Sequence, residues 1–358
     1  MKVIHLPTAV GGNASGLARA ERQLGLQSDV LILSEGFKYP ADKVLFNHPI
    51  NTPLRKVTSL WPRLREMILL ADEYDVFHFN FGTSLIDHPN WGLPLADLAY
   101  FSKKGKIIVT YNGCDARQKF PTMQRTTIAA CHDSACYGGG CNSGEIDRER
   151  RKKIQLFSKY ADAIFALNPD LLYFLPEKSK FLPYTISRWN DIEIQPYFQH
   201  SGKIQIVHAP TNRIAKGSAY ILAALDRLKQ SHGEQFELRI IENKSHAEAL
   251  AIYQQADLII DQVLIGWYGA FAVECMKMGK PVMVYIREED LHFIPEQMAK
   301  SCLDAFIRVT PETIYAKLVE IVENNEMLLN FRKKGLEYVL KWHDPLSVAK
   351  ITNKVYLG

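Results

Sequence analysis

Residues 256–286 read ADLIIDQVLIGWYGAFAVECMKMGKPVMVYI, and the fold follows from how this stretch divides. Leu258–Ile260 is a short apolar run of the kind that fills a parallel sheet buried on both faces. It ends in Asp261-Gln262, and a loop punctuated by Gly266 and Gly269 opens into a helical pattern over 270–278. Gly279 fits the left-handed position that ends a helix, and Pro281 begins a second apolar run over 282–286. Strand, glycine loop, helix, strand is the βαβ unit of a parallel sheet.

The same alternation extends in both directions. Towards the N-terminus, strands are expected at 2–6, 30–33, 76–79, 106–111 and 163–166, with helices at 15–24, 54–71, 93–103 and 146–160. The pattern pauses over 181–203, FLPYTISRWNDIEIQPYFQHSGK, where two prolines and mixed polar residues show no period, as in a linker. A second series then begins, with strands at 204–208, 236–241, 258–260 and 282–286 and helices at 219–230, 246–256 and 270–278. Helical patterns fill 312–324, 326–341 and 346–356. The expected fold is α/β: two Rossmann-like domains facing a central cleft, residues 1–188 and 189–341, with a terminal helix at about 342–358 packing back on the first. Ligands of such sheets bind beyond the carboxyl ends of the strands.

Composition excludes several classes. The 358 residues are 47% hydrophobic and 23% charged, an ordinary globular balance. Forty-three Lys and Arg against 39 Asp and Glu give a net charge of +4, too small for a nucleic-acid-binding surface. No apolar run approaches the ~18 residues of a membrane helix, and Met1-Lys2 leads into too short an apolar run for a signal peptide. Six cysteines are too few for a disulfide scaffold, so the thiols read as reduced and the protein as cytoplasmic.

The candidate chemistry lies after the strands of the second series. In VHAPTNRIAKGSAYILAAL, residues 207–225, Arg213 and Lys216 stand three apart and Lys216-Gly217 opens a helix. Two fixed cations there could neutralise a departing diphosphate without a metal ion. Gly269, Ala270 and Phe271 begin the next helix, where backbone N–H groups and the helix dipole favour an anion. Glu274, one turn in, cannot hold phosphate but can accept hydrogen bonds from the vicinal hydroxyls of a ribose. Trp267 and Tyr268 could stack on a base or sugar, or pack.

These two stretches together resemble the donor half of the GT-B glycosyltransferases, specifically the retaining glycosyltransferase family 4. Gly11-Gly12 after the first strand is similar to that family's N-terminal glycine loop. Val76-Phe-His-Phe-Asn and Ile108-Val-Thr-Tyr-Asn-Gly-Cys-Asp-Ala-Arg117 are similar to its next two landmarks. The resemblance implies a metal-independent hexosyltransferase that moves a sugar from a nucleotide diphosphate, most simply a UDP-sugar, with retention. By this likeness Arg213 and Lys216 bind the diphosphate and Glu274 the ribose, while Gly11, Gly12, Tyr268, Gly269, Ala270 and Phe271 border the donor. The acceptor, a glycan, glycolipid or small molecule, would meet His78, Asn112, Asp115 and Arg117. The resemblance also implies front-face departure, in which the leaving phosphate deprotonates the acceptor. Two positions depart from the family pattern: Gly266 stands where a second Glu is usual, and Asn112 where many members have His.

Alternatives follow from those departures. One is a non-catalytic nucleotide-sugar-binding subunit, and another a nucleotide-sugar epimerase on the same architecture. A dinucleotide oxidoreductase fits least, because the first loop reads Gly-Gly-Asn-Ala-Ser-Gly rather than GxGxxG. Cys131, Cys136 and Cys141, with Cys114 upstream, lack the usual spacing of a zinc knuckle; a metal site of the four, or of three with His132, is the alternative to the simpler reading, a glycine-rich acceptor loop with incidental thiols and no metal. The charge run 147–153 mixes signs, as a solvated helix face does. A lipid-linked acceptor would place the protein at the inner face of a membrane as a peripheral contact. No cofactor and no nucleic acid partner is expected.

Overall fold

Seven short runs rich in β-branched and aromatic residues pair in the first half of the chain: Lys2–Leu6 (β1), Gln27–Ser34 (β2), Lys43–Phe46 (β3), Val76–Asn80 (β4), Lys106–Tyr111 (β5), Ala163–Ala166 (β6) and Lys180–Phe181 (β7). Every pairing is parallel, in the order β3-β2-β1-β4-β5-β6-β7. The central strand β4 is buried at all five positions, as a strand covered by helices on both faces must be. The computed structural model describes residues 1–34, 39–196, 202–233 and 235–358. Of the expected linker at 181–203, residues 197–201 lie outside this set.

A second parallel sheet contains Ile204–His208 (β8), Phe236–Ile240 (β9), Leu258–Ile260 (β10), Val282–Val284 (β11) and Ile307–Arg308 (β12), in the order β12-β11-β10-β8-β9. Two parallel sheets with interleaved helices make this an α/β protein with two Rossmann-like domains. Each has its own core. Phe77, Phe79, Phe101 and Phe157 fill the first, and Ile206, Leu225, Ile260 and Leu318 the second.

Contacts divide the chain into Met1–Gln118 with Ile146–Arg188 and Asp344–Gly358, and Lys119–Glu145 with Trp189–His343. The segment Lys119–Glu145 thus belongs to the second unit, although chain order assigns it to the first. Pro345–Leu357 packs against helix Asn13–Gln23 within the first unit.

Several elements differ from expectation. The helix expected at 54–71 is two, Pro53–Thr58 and Leu60–Glu73, because Pro62 has no N–H for the Thr58 carbonyl and its ring would crowd that carbonyl. Of 93–103 only Leu98–Phe101 is helical, since His88 and Leu93 pair as a small hairpin and Leu95 has φ 48°. Strands β3, β7 and β12 carried no sequence signal. All three are short edges with few buried positions, which weakens the hydrophobic pattern.

Candidate functional site

In the second unit, the loops that follow β8, β9 and β10 carry the candidate donor residues. After β8, the Asn212 side chain accepts from Ala215 N (2.9 Å) and caps the single turn Arg213–Lys216. Gly217 then turns the chain at φ 73°, where an added Cβ would lie 2.5 Å from Val263 Cγ2. His208 Nδ1 donates to the Ile260 carbonyl (2.9 Å) and Nε2 accepts from the Ser218 hydroxyl (2.8 Å). Burial pushes the His208 pKa down, so the imidazole is neutral and serves to clamp β8 to β10.

Lys216 and Gly269 meet on one carboxylate. Asp261, fully buried at the end of β10, pairs with Lys216 Nζ and accepts from Gly269 N (3.1 Å). Gln262 shapes the loop between them. Its Nε2 donates to the carbonyls of Trp267 (2.7 Å) and Tyr285 (3.0 Å), and its Oε1 accepts from Leu264 N (2.8 Å) and Ile265 N (2.6 Å). The buried amide therefore satisfies four backbone groups of an irregular loop.

Glu274 is 3% exposed and accepts from His246 Nε2 (2.9 Å). His246 begins helix His246–Tyr253, which Ser245 and Glu248 cap reciprocally. Arg213 is exposed and forms a two-point pair with Glu242 (2.8 and 2.6 Å), raising the guanidinium pKa and lowering that of the carboxyl. Asp261, Glu242 and His246 were not singled out from sequence. The position of Asp261 at a strand's carboxyl end was a usable signal, whereas Glu242 and His246 gave none.

Three candidates prove to be enclosed. Tyr268 is 1% exposed, its hydroxyl bonded to Tyr338 (2.6 Å) and His343 (2.8 Å) and its ring stacked on Phe306. It is a core residue rather than a stacking surface, and Trp267 beside it is equally buried. His78 has no exposed surface, with Nδ1 against Tyr356 OH (2.7 Å) and Nε2 against Thr110 Oγ1 (2.7 Å). Arg117 is committed to a buried two-point pair with Asp170 (2.6 and 3.0 Å). Hydrogen bonds within the sheet and to the last helix use the His78 ring, and the ion pair uses the Arg117 guanidinium, the groups a ligand would need. Phe271 is half-buried against Tyr253, and Gly269 and Ala270 remain partly exposed at the helix start.

In the first unit Gly11 and Gly12 both adopt left-handed φ, 67° and 71°, ahead of helix Asn13–Gln23. A Cβ at Gly12 would meet the Tyr39 ring at 2.8 Å. Asn112 reaches this loop, Nδ2 to the Val10 carbonyl (3.4 Å), so β1 and β5 bring two expected sites together. Asp115 closes the turn after β5 by accepting from Asn112 N and Gly113 N. Its pKa is raised to about 6, burial outweighing those hydrogen bonds. Among the described residues, the buried atoms Thr8 Oγ1, Asn13 Nδ2, Asn112 Oδ1 and Ser187 Oγ have no partner, a set of donors and acceptors that fits a polar ligand.

The segment Lys119–Glu145 covers part of the second unit. Ala130–His132 and Cys136–Gly139 pack against Arg213–Lys216, and Ala130 N donates to the Leu264 carbonyl (3.2 Å). Among the described residues no group of three or more His, Cys, Asp or Glu side chains is placed to hold a metal ion. Gly266, where the family resemblance leads one to look for Glu, has φ 81°, and its carbonyl accepts from Arg287 N (2.9 Å). That backbone conformation disfavours any side chain.

No protein-family model matches the sequence, and no curated protein matches it. Solved structures do. The chain is similar to sucrose-phosphate synthase from Thermosynechococcus elongatus, with 14% identity, a TM-score of 0.63, and coverage of 99% of this chain and 98% of that one. It is similar to the catalytic domain of starch synthase IV from Arabidopsis thaliana bound to ADP and acarbose, at 12% identity, TM-score 0.62 and 100% and 99% coverage. It is similar also to UDP-GlcNAc 2-epimerase from Neisseria meningitidis bound to UDP-GlcNAc, at 13% identity, TM-score 0.55 and full coverage of both chains. The likeness is one of fold. The two Rossmann-like domains match those of GT-B glycosyltransferases and epimerases.

Proposed function

We propose that this protein is a glycosyltransferase that moves a hexosyl group from a nucleotide diphosphate, most simply UDP, to an acceptor with retention of anomeric configuration. The observation that carries the reading is the junction of Lys216, Asp261 and Gly269 N at the carboxyl ends of β8 and β10. The second unit holds the donor and the first the acceptor. An ammonium has three donors, so Lys216 can keep its Asp261 contact while turning another proton to a phosphate oxygen. Asp261 acts as a positioning residue, holding Gly269 N and aiming that ammonium at the helix start where Ala270 and Phe271 offer backbone N–H groups.

Arg213 joins by exchanging Glu242 for phosphate. An exposed pair of this kind is screened by solvent and contributes less than a charge-assisted contact with a diphosphate. Glu274, oriented by His246, accepts the ribose hydroxyls. As the sugar–oxygen bond breaks, negative charge grows on the diphosphate, and the two cations stabilise it without a catalytic metal. The leaving phosphate oxygen takes the acceptor hydroxyl proton on the same face. In the first unit, Asn112 and Asp115 meet the acceptor.

A membrane-linked acceptor is supported by the first unit's surface. Leu54, Val57, Trp61, Leu64 and Ile68 are all exposed, at spacings of three and four along Pro53–Thr58 and Leu60–Glu73. No helix of the described residues is long and apolar enough to cross a membrane. Arg55, Lys56 and Arg65 are exposed beside the apolar residues, and from Pro53 to Arg65 there is no acidic residue. An apolar stripe with basic flanks suits a peripheral contact with an anionic inner leaflet.

Calorimetric titration of UDP, GDP and ADP in EDTA, against wild type and an Arg213→Ala/Lys216→Ala double variant, tests the reading. We expect one nucleotide to bind and the variant to lose at least roughly 100-fold in affinity, two charge-assisted contacts at about 1.5–3 kcal/mol each. Absence of binding by all three overturns it. An epimerase is the second reading, favoured by the similarity to UDP-GlcNAc 2-epimerase. Conversion of a UDP-sugar to its epimer without any acceptor would select it.

A further inference from the structure

A cavity of about 300 Å³ opens in the first unit where the chain leaves β4, lined by Arg63 and Lys56 of the two helices and by the loop from Thr83 to Trp91. It is at the lower end of the size range of small-molecule pockets. Three of its lining side chains carry a buried polar atom without a partner among the described residues: Arg63 Nε, Asp87 Oδ1 and His88 Nε2. They come from a helix and a loop that have no sequence proximity. Leaving such a group unsatisfied costs about 1–3 kcal/mol, so three around one cavity point to a ligand that satisfies them.

Each group is held in place by its other atoms. Arg63 Nη1 donates to the Leu85 carbonyl (2.6 Å), which fixes the guanidinium. Asp87 Oδ2 accepts from Lys153 Nζ (2.6 Å) and Thr83 Oγ1 (2.8 Å), which leaves Oδ1 as the free acceptor. The His88 ring stacks on Trp91 with centroids 4.7 Å apart and planes 25° off parallel. Burial and then the Arg63 charge push the His88 pKa down, so the neutral ring can accept or donate through Nε2. Trp91 is 42% exposed and supplies an aromatic face.

A fixed donor, a fixed acceptor, an ambivalent nitrogen and an indole face match one chemical class. A pyranose offers vicinal hydroxyls that donate and accept, and a C–H face that stacks on an aromatic ring. A phosphate or carboxylate would suit Arg63 and Lys56 but would meet the Asp87 carboxylate. We propose that this cavity binds a sugar ring, and that, on the glycosyltransferase reading, the ring belongs to the acceptor. None of its residues is among those expected from sequence to touch the acceptor.

The test uses the full chain and the methyl glycosides of glucose, galactose, mannose and N-acetylglucosamine, followed by saturation-transfer NMR, with Trp91→Ala and His88→Ala as variants. We expect saturable binding of at least one glycoside in the millimolar range of a single ring. Each variant should weaken it roughly three- to tenfold, as the loss of one stacking or hydrogen-bonding partner does, with Tm and UDP affinity unchanged. No saturable binding of any glycoside to the wild type, or equal binding to both variants, overturns the proposal. Glycoside binding by a protein that binds no nucleotide would uphold the cavity assignment and overturn only its role as an acceptor subsite.

Discussion

Gly217 joins the turn that presents Arg213 and Lys216 to the helix Ser218–His232, and its left-handed φ and the 2.5 Å approach of Val263 leave no room for a side chain. Gly217→Ala should lower stability by roughly 2–4 kcal/mol, the sum of a left-handed penalty and overpacking, measured by urea unfolding. A second residue gives a pH signature. Asp97 is 1% exposed, accepts from Leu85 N (3.0 Å) and Ser84 Oγ, and has its pKa raised from 3.8 to about 6, chiefly by burial. A carboxyl that binds its proton more tightly when folded adds stability below its unfolded pKa and loses it as pH rises through the folded one. Between about pH 4 and about pH 7, the wild type should therefore lose roughly 2–3 kcal/mol that Asp97→Asn does not, at about 1.4 kcal/mol per unit. Unfolding of both proteins at the two pH values measures the difference, and parallel curves would refute it.

At the scale of elements, the helices Pro53–Thr58 and Leu60–Glu73 stand apart. A surface helix normally turns its apolar stripe to the core. Here Arg63, Glu66, Met67 and Leu70 face inward, with Glu66 paired to Lys43 (2.5 Å), while Trp61 is 75% exposed. Co-sedimentation with vesicles containing an anionic lipid should retain the wild type and release Trp61→Glu/Leu64→Glu. Burying apolar area and attracting about 1 kcal/mol per basic residue predicts at least a tenfold loss of partitioning and weaker binding in high salt. Retention of the variant, or equal binding to neutral vesicles, would remove the membrane from the proposed function. Helix periodicity was legible in this segment, but its inversion was not, since a repeat of three and four does not say which side holds the core.

At the scale of the whole chain, its last helix closes the first unit from the opposite end of the sequence. Thr352 Oγ1 and Tyr356 OH donate to Glu21 Oε1 (3.0 and 2.9 Å), while His5 and Ser28 approach Oε2 (2.8 and 2.7 Å). Tyr356 also holds His78, whose pKa burial and the neighbouring His5 ring push well below 6.5. Truncation after His343 would leave Glu21 buried with half its partners, a loss of roughly 3–5 kcal/mol for a broken buried network, besides the helix's own packing. The first unit should then unfold at a markedly lower temperature in calorimetry while the transition of the second changes little. Equal transitions in both proteins would show that Pro345–Leu357 is dispensable.

What the residues determine by themselves is the βαβ alternation, the two-sheet α/β class and the strand-end loops carrying Arg213, Lys216, Gly269 and Glu274. These are local signals: apolar period, glycine at turns, cations after strands. Tertiary structure alone decides which polar side chains remain open to a ligand. His78, Arg117 and Tyr268 carry the chemistry of a site but lie in packed cores, bonded to Tyr356, Asp170 and Tyr338 from distant parts of the chain. Arg63, Asp87 and His88 lack any motif, yet their helix and loop converge on one cavity. The membership of Lys119–Glu145 in the second unit is of the same kind. Spacing along a chain reports the geometry of one element, whereas burial and partnership depend on the elements packed against it, and those contacts span up to 335 residues.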